Sequence, residues 1–233
     1  IVEIIMEYAP IGVFALLAGL IVDLAGDDPN NIITTLTPLL YYALTVIIGL
    51  SFMVFVFYPL IIYSYTGVPI NKFLKAIFPA QMLAFSTSSS AATLPLTMKR
   101  VEKNLNVSDE VTSFVCPLGA TINMDGTSIH QAISAVFIAQ AFGQDLTLVD
   151  QLAIVLTATL SSIGAAAVPG AGLIMLVIVL GAIGIDPQGL ALIIAIDRPL
   201  DMLRTVVNVT GDATVASVVA STEGEKIKFK KDE

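Results

Sequence analysis

The sequence is poor in the residues that most chemistry needs. Its 233 residues include one cysteine, Cys116, one histidine, His130, and only 11 lysines and arginines. A single cysteine excludes an internal disulfide and says little about compartment. A single histidine excludes a histidine-based metal centre. A net charge of −8 with no basic stripe excludes nucleic acid as a partner. Charged residues make up 13% of the chain, against about a quarter in a soluble domain. What is abundant is apolar, with 56% hydrophobic residues and a mean hydropathy of +0.88. This composition belongs in a lipid bilayer. The chain opens at Ile1 directly into an apolar segment, with no initiator Met and no signal-peptide pattern. The expectation is that an N-terminal part of a longer protein is missing.

Apolar runs and polar turns divide the chain. The first run, residues 4–24, ends at Asp27-Asp28-Pro29-Asn30-Asn31. The second, 32–66, exceeds the ~20 residues that a span needs, so it tilts or projects. Residues 70–103 hold two short apolar pieces around a serine-rich stretch, 86–95, and neither piece can span alone. Residues 111–142 could span but are interrupted by Asn123-Met124-Asp125-Gly126-Thr127. Residues 148–186 again hold two short pieces, around a small-residue stretch, 161–172. The last apolar run, 190–220, precedes a charged tail from Glu223.

Charge placement orients these pieces. Lys72, Lys75, Lys99, Arg100 and Lys103 flank 70–103, and Lys226, Lys228, Lys230 and Lys231 lie in the tail. The positive-inside rule makes both regions cytoplasmic. The links around Asp27, Asp145–Asp150 and Asp186 carry no lysine or arginine, which suits the outside. The layout closes only if 70–103 enters and leaves from inside and 148–186 from outside, each as a re-entrant hairpin. Each hairpin precedes a span with an Asn-containing motif, Asn123-x-Asp125-Gly126-Thr127 or Asn208-x-x-Gly211-Asp212. The expected fold is therefore an all-α membrane protein, an inverted-repeat transporter with two re-entrant helical hairpins and two broken transmembrane helices. Broken backbone at membrane depth is tolerated only where it lines a cavity.

The last span carries the densest signal. Asp197, Asp201, Arg204, Asn208 and Asp212 recur at steps of three and four, on one helical face. A charge at the centre of a membrane helix costs roughly 2.5–3.5 kcal/mol on insertion scales. Such a stripe must line a protein-enclosed site. Carbonyls freed by a broken helix, with Asn oxygens and Asp carboxylates, suit a small cation such as Na⁺. Free N–H groups at hairpin tips suit a substrate carboxylate. Arg204 matches a second carboxylate with its planar fork, and Asp201 an ammonium. Two carboxylate receptors and one amine receptor specify an acidic amino acid.

These motifs, in this order, resemble the glutamate/aspartate transporter family, the dicarboxylate/amino-acid:cation symporters. The carriers of the resemblance are the serine tip with Thr93-Leu94-Pro95, Asn123-Met124-Asp125-Gly126-Thr127, Val168-Pro169-Gly170-Ala171-Gly172, and Asp201…Arg204-Thr205…Asn208…Gly211-Asp212. The resemblance covers nearly the whole chain, as the C-terminal part of a prokaryotic-type member from its fifth membrane helix onward. It implies no enzyme but a secondary active transporter: Na⁺-coupled symport of aspartate or glutamate by an elevator movement. It implies substrate contacts from Ser88, Ser89, Ser90, Thr127, the backbone around Val168 and Gly172, Asp201, Arg204, Thr205 and Asn208. It implies one sodium at Gly119, Asn123, Asn208 and Asp212, and a second at backbone oxygens of Thr121, Met124, Ser162, Ile163 and Ala165. A third would use Asn123 and Asp125, with its remaining ligands on an earlier helix. Residues 1–30 would be a helix of the scaffold and trimerisation domain, 31–222 the transport domain, and 223–233 a cytoplasmic tail. The protein would be a homotrimer, multi-pass in the cell membrane, with the 148–186 hairpin as outer gate.

Departures refine this. His130-Gln131 stands where counter-transporting members carry an aromatic residue and Glu, and Gln carries no proton. Arg204 favours an acidic over a neutral substrate, and Asp201 an amino acid over a dicarboxylate. Alternatives are a proton-coupled glutamate or C4-dicarboxylate symporter, an intramembrane aspartyl protease using Asp125 and Asp212, and a passive channel. The last two leave Arg204 with both hairpins, or the amine receptor, unexplained. Taken alone, the serine run is equally a small-residue packing surface, and Asp197, Arg198 and His130 read as interfacial or packed residues.

Overall fold

The computed structural model describes residues 30–230, so the expected scaffold helix at 1–30 and the tip of the tail lie outside the described residues. All regular structure among the described residues is helical. Helix α1 (Asn30–Phe52) passes through a five-residue π turn, Met53–Phe57, into α2 (Tyr58–Thr66). The turn precedes Pro59, which has no N–H to give the helical ladder and crowds the preceding turn. Gly67 ends the rod in the left-handed region at φ +69°, which glycine adopts without strain. The rod from Leu36 to Thr66 is the one described helix long and apolar enough to cross a membrane. Leu40, Tyr41, Ile48, Phe52, Phe55, Leu60 and Tyr63 stand exposed along it.

Two pairs of short helices form hairpins in the two regions, 70–103 and 148–186. In the first, α3 (Ile70–Thr87) packs along α4 (Ser90–Leu105). Ser88 takes the left-handed turn at φ 50°, and Ser89 caps α4 by accepting from the Ala92 N–H at 3.1 Å. In the second, α7 (Leu148–Ile163) packs on α8 (Ala171–Ala182) through the tip at 164–170. Thr147 and Asp150 form a capping box at its start. The Thr147 hydroxyl and N–H hold the Asp150 carboxyl below its usual range. At 1.5 Å per residue, α7 is about 24 Å long and α8 about 18 Å, short of a ~30 Å hydrocarbon core.

Between the hairpins, α5 (Asp109–Ile122) and α6 (Asp125–Ala141) are one line of helix interrupted at Asn123 and Met124. Both leave helical geometry, with ψ of 68° and 54°. This is the first expected break, where it was expected.

The second expected break is absent. Helix α9 (Ile194–Thr222) runs unbroken through Asn208, Gly211 and Asp212. Thr205, Thr210, Thr214 and Ser217 each return a hydroxyl hydrogen bond to the carbonyl four residues back, in register with the ladder. Gly211 is there for proximity. A Cβ on it would lie 2.6 Å from Asn123 Nδ2 and 2.7 Å from Tyr58 Oη. Helix α9 is the axis of the molecule, packed against α1 to α6 and α8, with Asp201 to Thr214 largely buried. The chain then turns back, and the Lys228 and Lys230 N–H groups donate to the Leu105 and Asn104 carbonyls. Ile227 is buried there, fastening the tail to the base of the first hairpin.

Candidate functional site

The polar stripe of α9 is buried as its spacing requires. Asp197, Asp201, Arg204, Asn208 and Asp212 are all buried, and Arg204 is 1% exposed. Three other elements close on it. The first is the break. The Gly126 N–H donates to Asn208 Oδ1 at 2.9 Å, and Asn208 Nδ2 donates to Thr127 Oγ1 at 3.3 Å. Asn123 Nδ2 donates to Asp212 Oδ1 at 3.0 Å. The second is the tip of the 148–186 hairpin. The Gly170 N–H donates to Asp201 Oδ2 at 2.9 Å. Gly172 lies so close to the stripe that a Cβ would sit 3.0 Å from Thr127 Cγ2 and 3.1 Å from Arg204 Cζ. The third is the serine tip, joined to the second tip at one carbonyl. Ala167 O accepts from Ser89 Oγ at 2.7 Å and from the Ala91 N–H at 3.3 Å.

The residues expected to hold a substrate therefore converge, with distinctions among them. Ser88, Ser89 and Ser90 are all buried, and Ser88 Oγ has no hydrogen-bond partner among the described residues. A buried hydroxyl without a partner is destabilising unless a ligand satisfies it. Thr205 Oγ1 is engaged by the Asp201 carbonyl at 2.9 Å, whereas the Val168 side chain is exposed.

Arg204 is held by three partners. Nε and Nη2 donate to Asp201 Oδ1 at 3.2 and 2.6 Å. Nη1 donates to His130 Nδ1 at 2.7 Å and lies 3.4 Å from Asp197 Oδ1. Asp197 is thus a buried member of the cluster, beside Arg204 and His130. Its place on the 197-201-204 spacing is the sequence signal that marks it. His130 is packed, as expected, but against the charged centre.

The sodium-ligand candidates divide into two groups. Gly119, Asn123 and Asp212 meet: a Cβ on Gly119 would lie 2.6 Å from Asp212 Oδ1. Asp125 lies beside them, accepting from Tyr58 Oη at 2.6 Å. These are hard oxygen donors with carboxylate charge, which fits a small hard cation. The unbroken α9 changes one detail. The Asn208 carbonyl stays in the helical ladder, so only its second lone pair is free. The other set is less drawn together. Thr121 and Ser162 hydroxyls return to Leu118 and Thr159 carbonyls, Ile163 is exposed, and Met124 and Ala165 are buried. Asp125 and Asp212 each have a separate donor, Tyr58 and Asn123, which is unlike a proton-sharing carboxylate pair.

Sequence reasoning missed Tyr42, Tyr58 and the positional role of Gln131. Gln131 Nε2 donates to the Gly172 carbonyl at 3.0 Å, and its Oε1 accepts from Ser161 Oγ at 2.6 Å, tying both arms of the second hairpin to α6. A large groove of about 1550 Å³, between α1 and the end of α6, contains none of the candidate ligands.

Comparison with known proteins gives the family. Residues 1–222 match the model of the sodium:dicarboxylate symporter family. An excitatory amino acid transporter of Caenorhabditis elegans is 42% identical over 219 residues, covering 94% of this chain and 42% of that protein. Excitatory amino acid transporter 1 of Ambystoma tigrinum is 45% identical over 219 residues, 94% of this chain and 39% of that protein. The Homo sapiens transporter of the same name is 42% identical over 228 residues, 98% of this chain and 41% of that protein. The chain therefore spans about two fifths of the length of these relatives. The family description is of symporters, not enzymes. Converging hairpin tips, a helix break and a buried charged stripe, together with the match over residues 1–222, make this chain a member of the sodium:dicarboxylate symporter family.

Proposed function

We propose that the protein is a Na⁺-coupled symporter of aspartate or glutamate, working by an elevator-type alternating-access movement in a membrane. The observation that carries this reading is the pairing of Asp201 and Arg204, one helical turn apart, against the tip of the 148–186 hairpin. A guanidinium and a carboxylate at that spacing complement the side-chain carboxylate and ammonium of one acidic amino acid. Tip N–H groups and the unpartnered Ser88 hydroxyl supply donors for its α-carboxylate. A C4-dicarboxylate would leave Asp201 facing a second anion, which disfavours that alternative.

Sodium enters this reading at Asp212. The Asn123, Gly119 and Asp212 cluster would hold one ion, Asp125 with Asn123 a second, and the oxygens around Thr121, Met124, Ser162, Ile163 and Ala165 a third. The hairpins would be re-entrant, related as an inverted repeat, with 70–103 open to the cytoplasm and 148–186 serving as outer gate. The exposed apolar face of Leu40 to Tyr63 would meet lipid or the remaining helices of the full protein, a homotrimer in the cell membrane with a cytoplasmic C-terminus.

The test is uptake of radiolabelled aspartate into proteoliposomes of the full-length protein, with and without an inward sodium gradient. Accumulation is expected only with the gradient, and its absence under both conditions sinks the reading. In the same assay Asp212→Asn keeps the shape of the ion cluster and removes its charge. The expected result is a rise of about tenfold or more in the sodium concentration for half-maximal uptake, since a charge-assisted contact is worth ~1.5–3 kcal/mol. An unaltered sodium response would remove Asp212 from the ion site.

A further inference from the structure

We infer that His130 is a positioning residue that holds Arg204 in a self-satisfied state, and thereby sets how tightly the site takes a side-chain carboxylate. The inference rests on the function proposed above. Its starting point is the 2.7 Å contact between Arg204 Nη1 and His130 Nδ1. A guanidinium has donors only, so Nδ1 must be the unprotonated nitrogen. The ring proton then sits on Nε2, which donates to Tyr42 Oη at 2.9 Å with Asp197 Oδ1 at 3.4 Å and Ser134 Oγ at 3.5 Å beside it, and Tyr42 Oη donates to Ser134 Oγ at 2.8 Å.

The ring is fixed as well as oriented. His130 and Ser134 have no exposed surface. The Tyr42 ring meets His130 edge-on, with centroids 6.3 Å apart, and stacks on Phe137 at 4.8 Å. Above the guanidinium, Gly172 leaves no space, since even a methyl there would lie 3.1 Å from Cζ and Nη1. Arg204 therefore has its charge matched by Asp201 and Asp197, one N–H consumed by His130, and a lid of backbone over it.

A substrate carboxylate must displace these contacts to reach the guanidinium. An interaction made only in the empty site opposes binding by its own strength. Asp201 also has the ammonium to receive, and Asp197 is the longer contact of Arg204 at 3.4 Å. His130 is the uncharged member of the set, and because its Nε2 also faces Tyr42 and Asp197, His130→Asn, which restores only the Nδ1 acceptor, isolates the effect.

The test compares binding of aspartate and of asparagine, its neutral amide analogue, to the full-length protein. His130→Phe keeps a ring and removes the acceptor, and His130→Asn replaces Nδ1 with an amide oxygen in nearly the same place. We expect His130→Phe to tighten aspartate about tenfold or more, seen as a fall in KM without a gain in maximal rate. Asparagine binding should not move, and His130→Asn should restore the parent aspartate affinity. Unchanged or weaker aspartate binding in His130→Phe, or an equal shift for asparagine, overturns the inference. If the phenylalanine variant does not fold, His130→Gln, which carries its acceptor past the Nδ1 position, is read by the same criteria. Stabilisation of Tm by aspartate reads the receptor without transport, so failure of sodium-driven uptake in the parent protein would be distinguishable from failure of this inference.

Discussion

Arg204→Cys should abolish uptake of acidic substrates, with a loss of about 100-fold or more in kcat/KM. Truncating one partner of a buried charge pair costs ~2–5 kcal/mol, and each ~1.4 kcal/mol is tenfold. The same change should open the pocket to neutral amino acids, because the volume left by the guanidinium would no longer require a carboxylate to fill it. A second effect comes with the first. Asp197 and Asp201 are both buried against Arg204, and Asp201 has Arg198 3.6 Å away as a second cation. Leaving Asp197 buried without its guanidinium partner should destabilise the protein by about 3–5 kcal/mol. Adding Asp197→Asn to Arg204→Cys should recover part of the lost Tm without recovering aspartate uptake. Aspartate affinity equal to that of the parent protein in Arg204→Cys would refute the assigned role of the guanidinium.

Gly126→Ala is expected to be severely damaging, because among the described glycines it is the one whose added methyl would press closest on backbone. The added Cβ would lie 2.5 Å from the Arg204 carbonyl oxygen, 2.9 Å from Val207 Cβ and 3.0 Å from Asn208 Oδ1. The nearest of these is backbone in the middle of α9, which cannot turn aside. Overpacking a tight core costs ~1–3 kcal/mol, occasionally more, and here the displacement also breaks the 2.9 Å hydrogen bond from the Gly126 N–H to Asn208. The measurable result is a fall in Tm with loss of sodium-dependent uptake. Gly181→Ala, where an added Cβ meets nothing within 4 Å, is the control and should leave both unchanged. A Gly126→Ala protein with parental Tm would show that the break and α9 are not pressed together as described.

That residues 70–103 and 148–186 each fold as two short paired helices was readable from simple limits. Two apolar pieces too short to span, with lysines on one side only, leave few arrangements. The break at Asn123 was readable for the same reason, since Asn-Met-Asp-Gly interrupts an otherwise long apolar run. The motif at Asn208 to Asp212 uses the same residue types for a different purpose. There the Asn side chain receives the Gly126 N–H, and Gly211 admits Tyr58 and Asn123 to close range, while the helix continues. Residue type alone does not separate a glycine that breaks a helix from one that lets a neighbour in. The distinction lies in the threonines and serine at 205, 210, 214 and 217, whose back-bonds follow the ladder. Asp197 fell on the readable stripe, and what the spacing did not show was its contact with Arg204 and His130. Tyr42 and Tyr58 could not be found from the sequence, because each lies more than 60 residues from its partner in an apolar helix where an aromatic ring needs no polar explanation.

The meeting of the two tips at Ala167 has a consequence for how the molecule tolerates being open. One peptide oxygen holds a hydroxyl of Ser89 and an amide of Ala91. Drawing either tip away strands both donors of the serine tip, Ser89 Oγ and the Ala91 N–H, at once. Separation is therefore a shared penalty, felt equally from whichever side the pull comes.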